Sequence, residues 1–331
     1  MKVQKKLISS MLSLALLTLP MIGCSSNKAS TDTSDKVYKI GISQIGEHPA
    51  LDSTREGFLE ALAENGIEEG KNLEVDYQNA LGDVSTSQQI ASKLAKDKND
   101  LLFAISTQSA QSVVNAADSN TPVIFTAVTN PVAAGLLKDP QAPEGNVTGA
   151  SDELPIENAV DLINQLVPNT KKVAALYNTS EVNSVDQVND LKEALKSTSI
   201  EIVEVGVTAG NEINAAINSV VGKVDCLWIP TDNLVTENMA LVAKTALDKK
   251  LPVIGSEETA VKNGCLAANG LSYKDIGREA GKMAAQVLKG EKKISEIPVY
   301  KSDKTTIIIN SNTLKALGIE KPTSGEITYV E

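Results

Sequence analysis

The stretch "DLLFAISTQ" (residues 100–108) and the later stretch "DCLWIPTD" (225–232) follow one plan. An aspartate opens each, an uncharged apolar run follows, and polar residues close it at Ser106, Thr107 and Gln108 and at Thr231 and Asp232. One helical pattern further on, the chain twice spells a proline-containing apolar run, "TPVIFTAV" (121–128) and "LPVIGSEE" (251–258). Agreement in order and wording over a whole strand–helix–strand unit is firmer than the reading of any one element, and it predicts two similar lobes. Runs this apolar suit parallel strands covered by helices on both faces.

The alternation continues outward from these units. In the first half, "VYKIGIS" (37–43) precedes a helix from about Leu51 to Asn65, "LEVDYQN" (73–79) precedes a helix over Val84 to Lys96, and "TQSAQSVVNAAD" (107–118) is the third helix. In the second half, "KVAALYN" (172–178) precedes a helix over Val185 to Lys196, "IEIVEVG" (200–206) precedes one over Ile213 to Val221, and a single helix is expected from Leu234 to Asp248. Such alternation predicts an α/β protein of two doubly wound parallel-sheet lobes.

Ligands of such sheets bind beyond the carboxyl ends of the strands, at helix N-termini. The polar residues ending each strand are therefore the site candidates: Ser43 and Gln44; Ser106, Thr107 and Gln108; Thr129 and Asn130; Asn178, Ser180 and Glu181; Thr231, Asp232 and Asn233; Ser256, Glu257 and Glu258. Each alone reads more readily as a helix cap. Converging from two repeated lobes, they read as a binding cleft. An amino-acid zwitterion would find donors for its carboxylate at Ser106, Thr107 and Gln108, and acceptors for its ammonium at Asp232, Glu181 or Glu258. Tyr177, at a strand end beside Asn178, is the expected aromatic contact, while Trp228 reads as core.

The N-terminus carries a separate message. Lys2, Lys5 and Lys6 precede an uncharged apolar run from Leu7 to Met21, and Gly23–Cys24 opens onto a Ser/Thr/Asp-rich tract ending at Asp35. This is the pattern of an export signal, too short for a spanning helix of about 20 residues. It resembles a bacterial lipobox, which would make residues 1–23 a signal peptide, Cys24 the lipidated terminus and 24–35 a flexible tether. Loss of three lysines with the signal takes the formal net charge from −11 to −14. An acidic chain without a basic stripe argues against nucleic acid as partner. Cys226 and Cys265, inside apolar runs, read as buried free thiols.

The stretches "EHPALDSTREGF", "AVTNPVAAGL", "GNVTGASD", "LVPNTKKVAALYNTSEVNS", "PTDN", "GSEE" and "GLSYKDIGREAGKMAAQVLKGEK" resemble substrate-binding lipoproteins of ABC importers, of the tryptophan/tyrosine-type group. The resemblance implies a type I periplasmic-binding-protein fold whose lobes, joined by a hinge of crossing strands, shut on a small ligand. It further implies an ABC permease with a cytoplasmic ATPase as partner, and an extracytoplasmic, membrane-anchored location. Asn130 stands where many members carry Asp, which removes one possible carboxylate. The expected crossings are "GNVTGASDELP" (145–155), "NGLSYKDIG" (269–277) and the strand pair near 298–310. The lobes are then 36–150 with 270–297, and 151–269 with 298–331.

No enzyme constellation accompanies these features. His48 is the single histidine, too few for a metal site or a triad, and reads as a cleft or capping residue. No glycine-rich phosphate loop occurs, and no cofactor is implied. Two other readings share the fold: a sugar binder, which would need aromatic stacking and arginine forks although Arg55 and Arg278 are the only arginines, and a ligand-sensing lobe for a membrane receptor.

Overall fold

The computed structural model describes residues 36–322 and 326–331, so the expected signal peptide, Cys24 and the expected tether lie outside the described residues. The chain opens with β1 (Tyr38–Gln44), α1 (Pro49–Glu64), β2 (Leu73–Asn79), α2 (Val84–Lys96), β3 (Leu101–Ile105), α3 (Thr107–Ala116), β4 (Val123–Val128) and β5 (Val147–Ser151). It continues with α4 (Glu157–Leu166), β6 (Lys172–Asn178), α5 (Val182–Leu195), β7 (Glu201–Val207), α6 (Ile213–Val220) and β8 (Cys226–Trp228). Next come α7 (Asn233–Glu237), α8 (Met239–Asp248), β9 (Val253–Gly255), α9 (Glu258–Lys262) and β10 (Ala267–Gly270). The last elements are α10 (Tyr273–Leu288), β11 (Tyr300–Lys301), β12 (Thr306–Asn310), α11 (Ser311–Leu317) and β13 (Ile327–Val330).

The strands form two sheets, β11-β5-β4-β3-β1-β2 and β13-β12-β10-β9-β8-β6-β7. Each contains the same five-strand parallel order, β2-β1-β3-β4-β5 in one and β7-β6-β8-β9-β10 in the other. The repeated wording has a matching physical role. Asp100 accepts the N–H of Lys39 at 2.8 Å, and Asp225 accepts those of Lys171 and Lys172 at 2.7 and 2.8 Å. In both halves the opening aspartate ties the start of the third strand to the start of the first.

β3, β4 and β5 are buried along their whole lengths, β3 as its unbroken apolar run requires. One core cluster covers the first sheet and includes Ile276, Ala280 and Met283 of α10. Two clusters cover the faces of the second, and Leu314, Leu317 and Ile319 join one of them.

The structure departs from expectation in two places. The helix expected over 234–248 breaks at Asn238, whose side chain donates to the Leu234 carbonyl at 2.8 Å and separates α7 from α8. Tyr300 and Lys301 pair with Ala150 and Ser151, so the chain stays with the first sheet through β11 and crosses after it, not at 298. The crossings thus follow β5, β10 and β11, with β12 returning antiparallel to β10.

α10 returns to the first lobe by packing on α1 through glycines. A Cβ at Gly277 would sit inside the Thr54 carbonyl oxygen, and one at Gly57 inside that of Lys274. At Gly281 it would stand 2.5 Å from the Phe58 carbonyl oxygen. Backbone opposes backbone here, so neither side can yield by turning a side chain. Gly277→Ala should therefore destabilise the protein by about 1–3 kcal/mol, the usual cost of overpacking. Urea unfolding checks this, and an unchanged midpoint would contradict it.

Candidate functional site

The doubly wound order places a switch point beside β1 in the first sheet and beside β6 in the second, where neighbouring strands send their helices to opposite faces. Residues from both switch points meet around one small, closely packed cavity of about 10 Å³. The first lobe contributes His48 and Leu51 at the start of α1, Thr107 at the start of α3, and Ala127 and Thr129 at the end of β4. The second contributes Asn183 of α5, the run Thr231, Asp232 and Asn233 before and into α7, and Glu257 before α9. Asp152 and Tyr273, from two of the crossings, form its hinge side.

Three carboxyl groups line this cavity, and no lysine or arginine does. Asp232 caps α7: one oxygen accepts the Val235 N–H at 2.8 Å and the other the Asn178 N–H at 2.6 Å. Glu257 accepts the hydroxyls of Thr236 at 2.7 Å and Thr259 at 2.9 Å. Asp152 accepts the Tyr273 hydroxyl at 2.9 Å on one oxygen, while its other oxygen makes no well-formed hydrogen bond. His48 Nδ1 and Nε2 and Asn183 Oδ1 are also buried without partners.

The opposite wall is rich in donors. The first N–H groups of α3 have no carbonyl a turn earlier to take them. Ser106, which precedes them, is 1% exposed and has an unpartnered hydroxyl. Its φ of 82° is uncommon for a residue with a Cβ, as is the φ of 52° at Ala127, where the β4–β5 register shifts. Strained backbone at two points of one cleft is typical of a binding site.

Of the expected site residues, Thr107, Thr129, Asp232 and Asn233 line the cavity, and Ser106 heads α3 beside it. Asn178 and Glu181 lie behind: Glu181 accepts from Asn178, Asn183, Asn233 and Leu234, and so braces the α7 start instead of offering a free carboxylate. Asn130 donates to Asp186 of the second lobe at 2.9 Å, outside the cavity lining.

Four expectations are corrected. Tyr177 packs in a second-lobe core cluster and donates its hydroxyl to Glu204 at 2.8 Å, because its strand turns that side chain away from the cleft. Glu258 is half-exposed and paired with Lys262 one helical turn on; its neighbour Glu257 faces the cleft. Gln44 is held by Gly46, Asp52 and Arg55. Gln108 faces a separate surface groove with Gln111 and Ser112. The lining residues missed were Leu51, Ala127, Asp152, Asn183 and Tyr273. His48 lines the cavity and makes no side-chain cap.

Two lobes of equal topology, joined by crossing strands around a buried polar cavity, define a two-lobed binding protein. The chain belongs to the ABC transporter substrate-binding protein family, whose profile matches residues 39–325. It is 44% identical over 337 residues to the tyrosine-binding protein of Clostridioides difficile, covering all of this chain and 96% of that one. Among solved structures, it resembles a ligand-free, open substrate-binding protein with adhesive properties from Clostridium difficile. That structure is 48% identical, with 89% of this chain and 99% of that chain covered and a TM-score of 0.70. It also resembles an ABC domain from Streptococcus pneumoniae in complex with L-Trp. Here the identity is 34%, the coverage 88% and 100%, and the TM-score 0.84. The more similar sequence is thus the less similar shape, as expected if this chain is described with its lobes shut. The chain is a substrate-binding protein of an ABC transporter with the type I periplasmic-binding-protein fold. Such proteins work outside the cytoplasm.

Closure leaves its mark on the acids. Burial pushes the Asp152 carboxyl up to about 6, against the pull of the Tyr273 hydrogen bond. Burial, and next the Glu181 charge, push Asp232 up as well. If opening returns water to the Asp152 carboxyl, its value falls toward the ordinary carboxyl range, so the shut form gains relative to the open form as pH falls through about 6. Small-angle X-ray scattering of the empty protein should show a smaller radius of gyration at about pH 5 than at about pH 8. An unchanged or larger radius at the lower pH would refute the linkage.

Proposed function

We propose that this protein captures a free amino acid, with an aromatic side chain preferred, and presents it unchanged to a membrane permease driven by a cytoplasmic ATPase. The observation that carries this reading is the polarity of the cleft: acids on its hinge and second-lobe side, helix-end N–H groups and hydroxyls on its first-lobe side. A zwitterion complements both. Its carboxylate meets the α3 start, where the helix dipole and unpaired N–H groups favour negative charge. Its ammonium meets carboxyl groups, and the absence of a lysine or arginine from the lining leaves those acids free to attract it. Leu51, Ala127 and the His48 ring are left to contact the side chain. The names of the tyrosine-binding relative and of the L-Trp complex support the aromatic preference.

A sugar has no formal charges to match this arrangement. Neither arginine lines the cleft: Arg55 bonds Gln44 and Asp52, and Arg278 pairs with Glu60 and Glu64. Titration calorimetry of the mature chain should give saturable heat with L-tyrosine or L-tryptophan and none with sugars or nucleosides. Binding of a sugar while all amino acids fail would overturn the reading.

The N-terminal pattern supports a lipid anchor on Cys24, with the 24–35 tract as its tether. Cys24→Ala should move the protein from the membrane fraction to the soluble fraction of a lipoprotein-processing host. Retention in the membrane would refute the anchor.

A further inference from the structure

We infer that Asp152, at the first hinge crossing, is the residue that takes the ligand's ammonium, with Tyr273 as its positioning residue. The inference rests on the amino-acid reading above and refines it. Three carboxyl groups line the cavity, and their hydrogen bonds rank them. Both oxygens of Asp232 already accept backbone N–H groups, and both of Glu257 accept threonine hydroxyls. Those contacts hold the starts of α7 and α9, and every one of these oxygens already accepts a hydrogen bond. Asp152 is 3% exposed; the Thr129 hydroxyl lies near its carboxyl group, and one of its oxygens makes no well-formed hydrogen bond. A buried carboxylate oxygen without a partner is costly, and a ligand ammonium supplies the missing charge-assisted bond.

Tyr273 positions this group. Its hydroxyl, on the first residue of α10, donates to the other Asp152 oxygen at 2.9 Å and so fixes the carboxyl group at the cavity wall. α10 is anchored on α1 by the glycine contact, so the carboxylate sits on a rigid base. The other titratable groups on the cavity are Glu257, Asp232 and His48, and none of them donates a hydrogen bond to Asp152. Asp152 leaves β5 directly, within the first lobe, so the ammonium site and the α3 start belong to the same lobe. A zwitterion can dock on both before the second lobe arrives.

The test uses the mature chain and three probes: L-tyrosine, 3-(4-hydroxyphenyl)propionic acid, which lacks the amine, and tyramine, which lacks the carboxylate. The wild type should prefer tyrosine to the des-amino acid by at least about thirtyfold, the low end for a buried charged contact. Asp152→Asn should collapse that ratio to within about threefold and abolish tyramine binding, while Asp232→Asn and Glu257→Gln keep most of it. Because each ratio compares two ligands on one variant, a general loss of fold does not imitate the effect. Tyr273→Phe, which keeps the ring, should lower the ratio about three- to tenfold without lowering the melting temperature of the empty protein by as much as Asp232→Asn does. A full ratio in Asp152→Asn, or its collapse in Asp232→Asn or Glu257→Gln alone, would overturn the assignment. If the wild type binds tyramine but not tyrosine, the amino-acid reading fails while loss of tyramine in Asp152→Asn still upholds the residue.

Discussion

The close approach of α10 to α1 is the contact on which the two-lobed architecture depends. Without it the chain, having built β10 in the second sheet, has no reason to return to the first. Three glycines permit the approach, and each removes a Cβ that would strike the opposing backbone. The return makes the first lobe discontinuous in sequence, so the connection between lobes consists of several parallel passages instead of one linker. Several passages restrict the relative motion to opening and shutting. The same return carries Tyr273 to Asp152, so the contact that fixes the fold also orients a hinge-side group of the cleft.

Much of this fold was legible because its strands are apolar and their repeats carry the same local chemistry. β2, β6 and α2 appear with the limits read from their sequences, and the aspartates that open the β3 and β8 runs do equivalent work in both sheets. Less legible were features set by partners distant in sequence. The break at Asn238 interrupts a helix that periodicity alone carries through. β11 is two residues long, and only its pairing to β5 reveals which sheet it joins.

The site was legible as a location and less so as a set of side chains. Strand ends are marked by the change from apolar to polar residues, which correctly brought Thr107, Thr129, Asp232 and Asn233 to the cleft. The direction of each side chain was not marked. At "SEE", the one-residue step from Glu257 to Glu258 moves a carboxylate from the cleft to the surface. At Tyr177 the pleat, which alternates side chains between faces, gives the ring to the core. Asp152 and Tyr273 lay in segments read as hinge, where a polar residue suggests a turn. What distinguishes them is a contact across 121 residues of chain.

Where the acids sit decides the order of events in capture. An ammonium site confined to the second lobe would require shutting before the charge was satisfied, and encounter with the open form would be weak. On the proposed assignment, a carboxylate at the hinge, beside the lobe that carries the α3 start, would let both ends of a zwitterion bind first. The second lobe then adds Asn183, Asp232 and Glu257 around a ligand already in place. Its closing is favoured only to the extent that the shut form binds the ligand better than the open one does. The buried acids sharpen this difference. Empty, the shut cleft confines carboxyl groups whose ionised forms burial disfavours. Filled, it gives the hinge carboxylate a cation. On the proposed reading, the same charges oppose shutting without cargo and favour it with cargo.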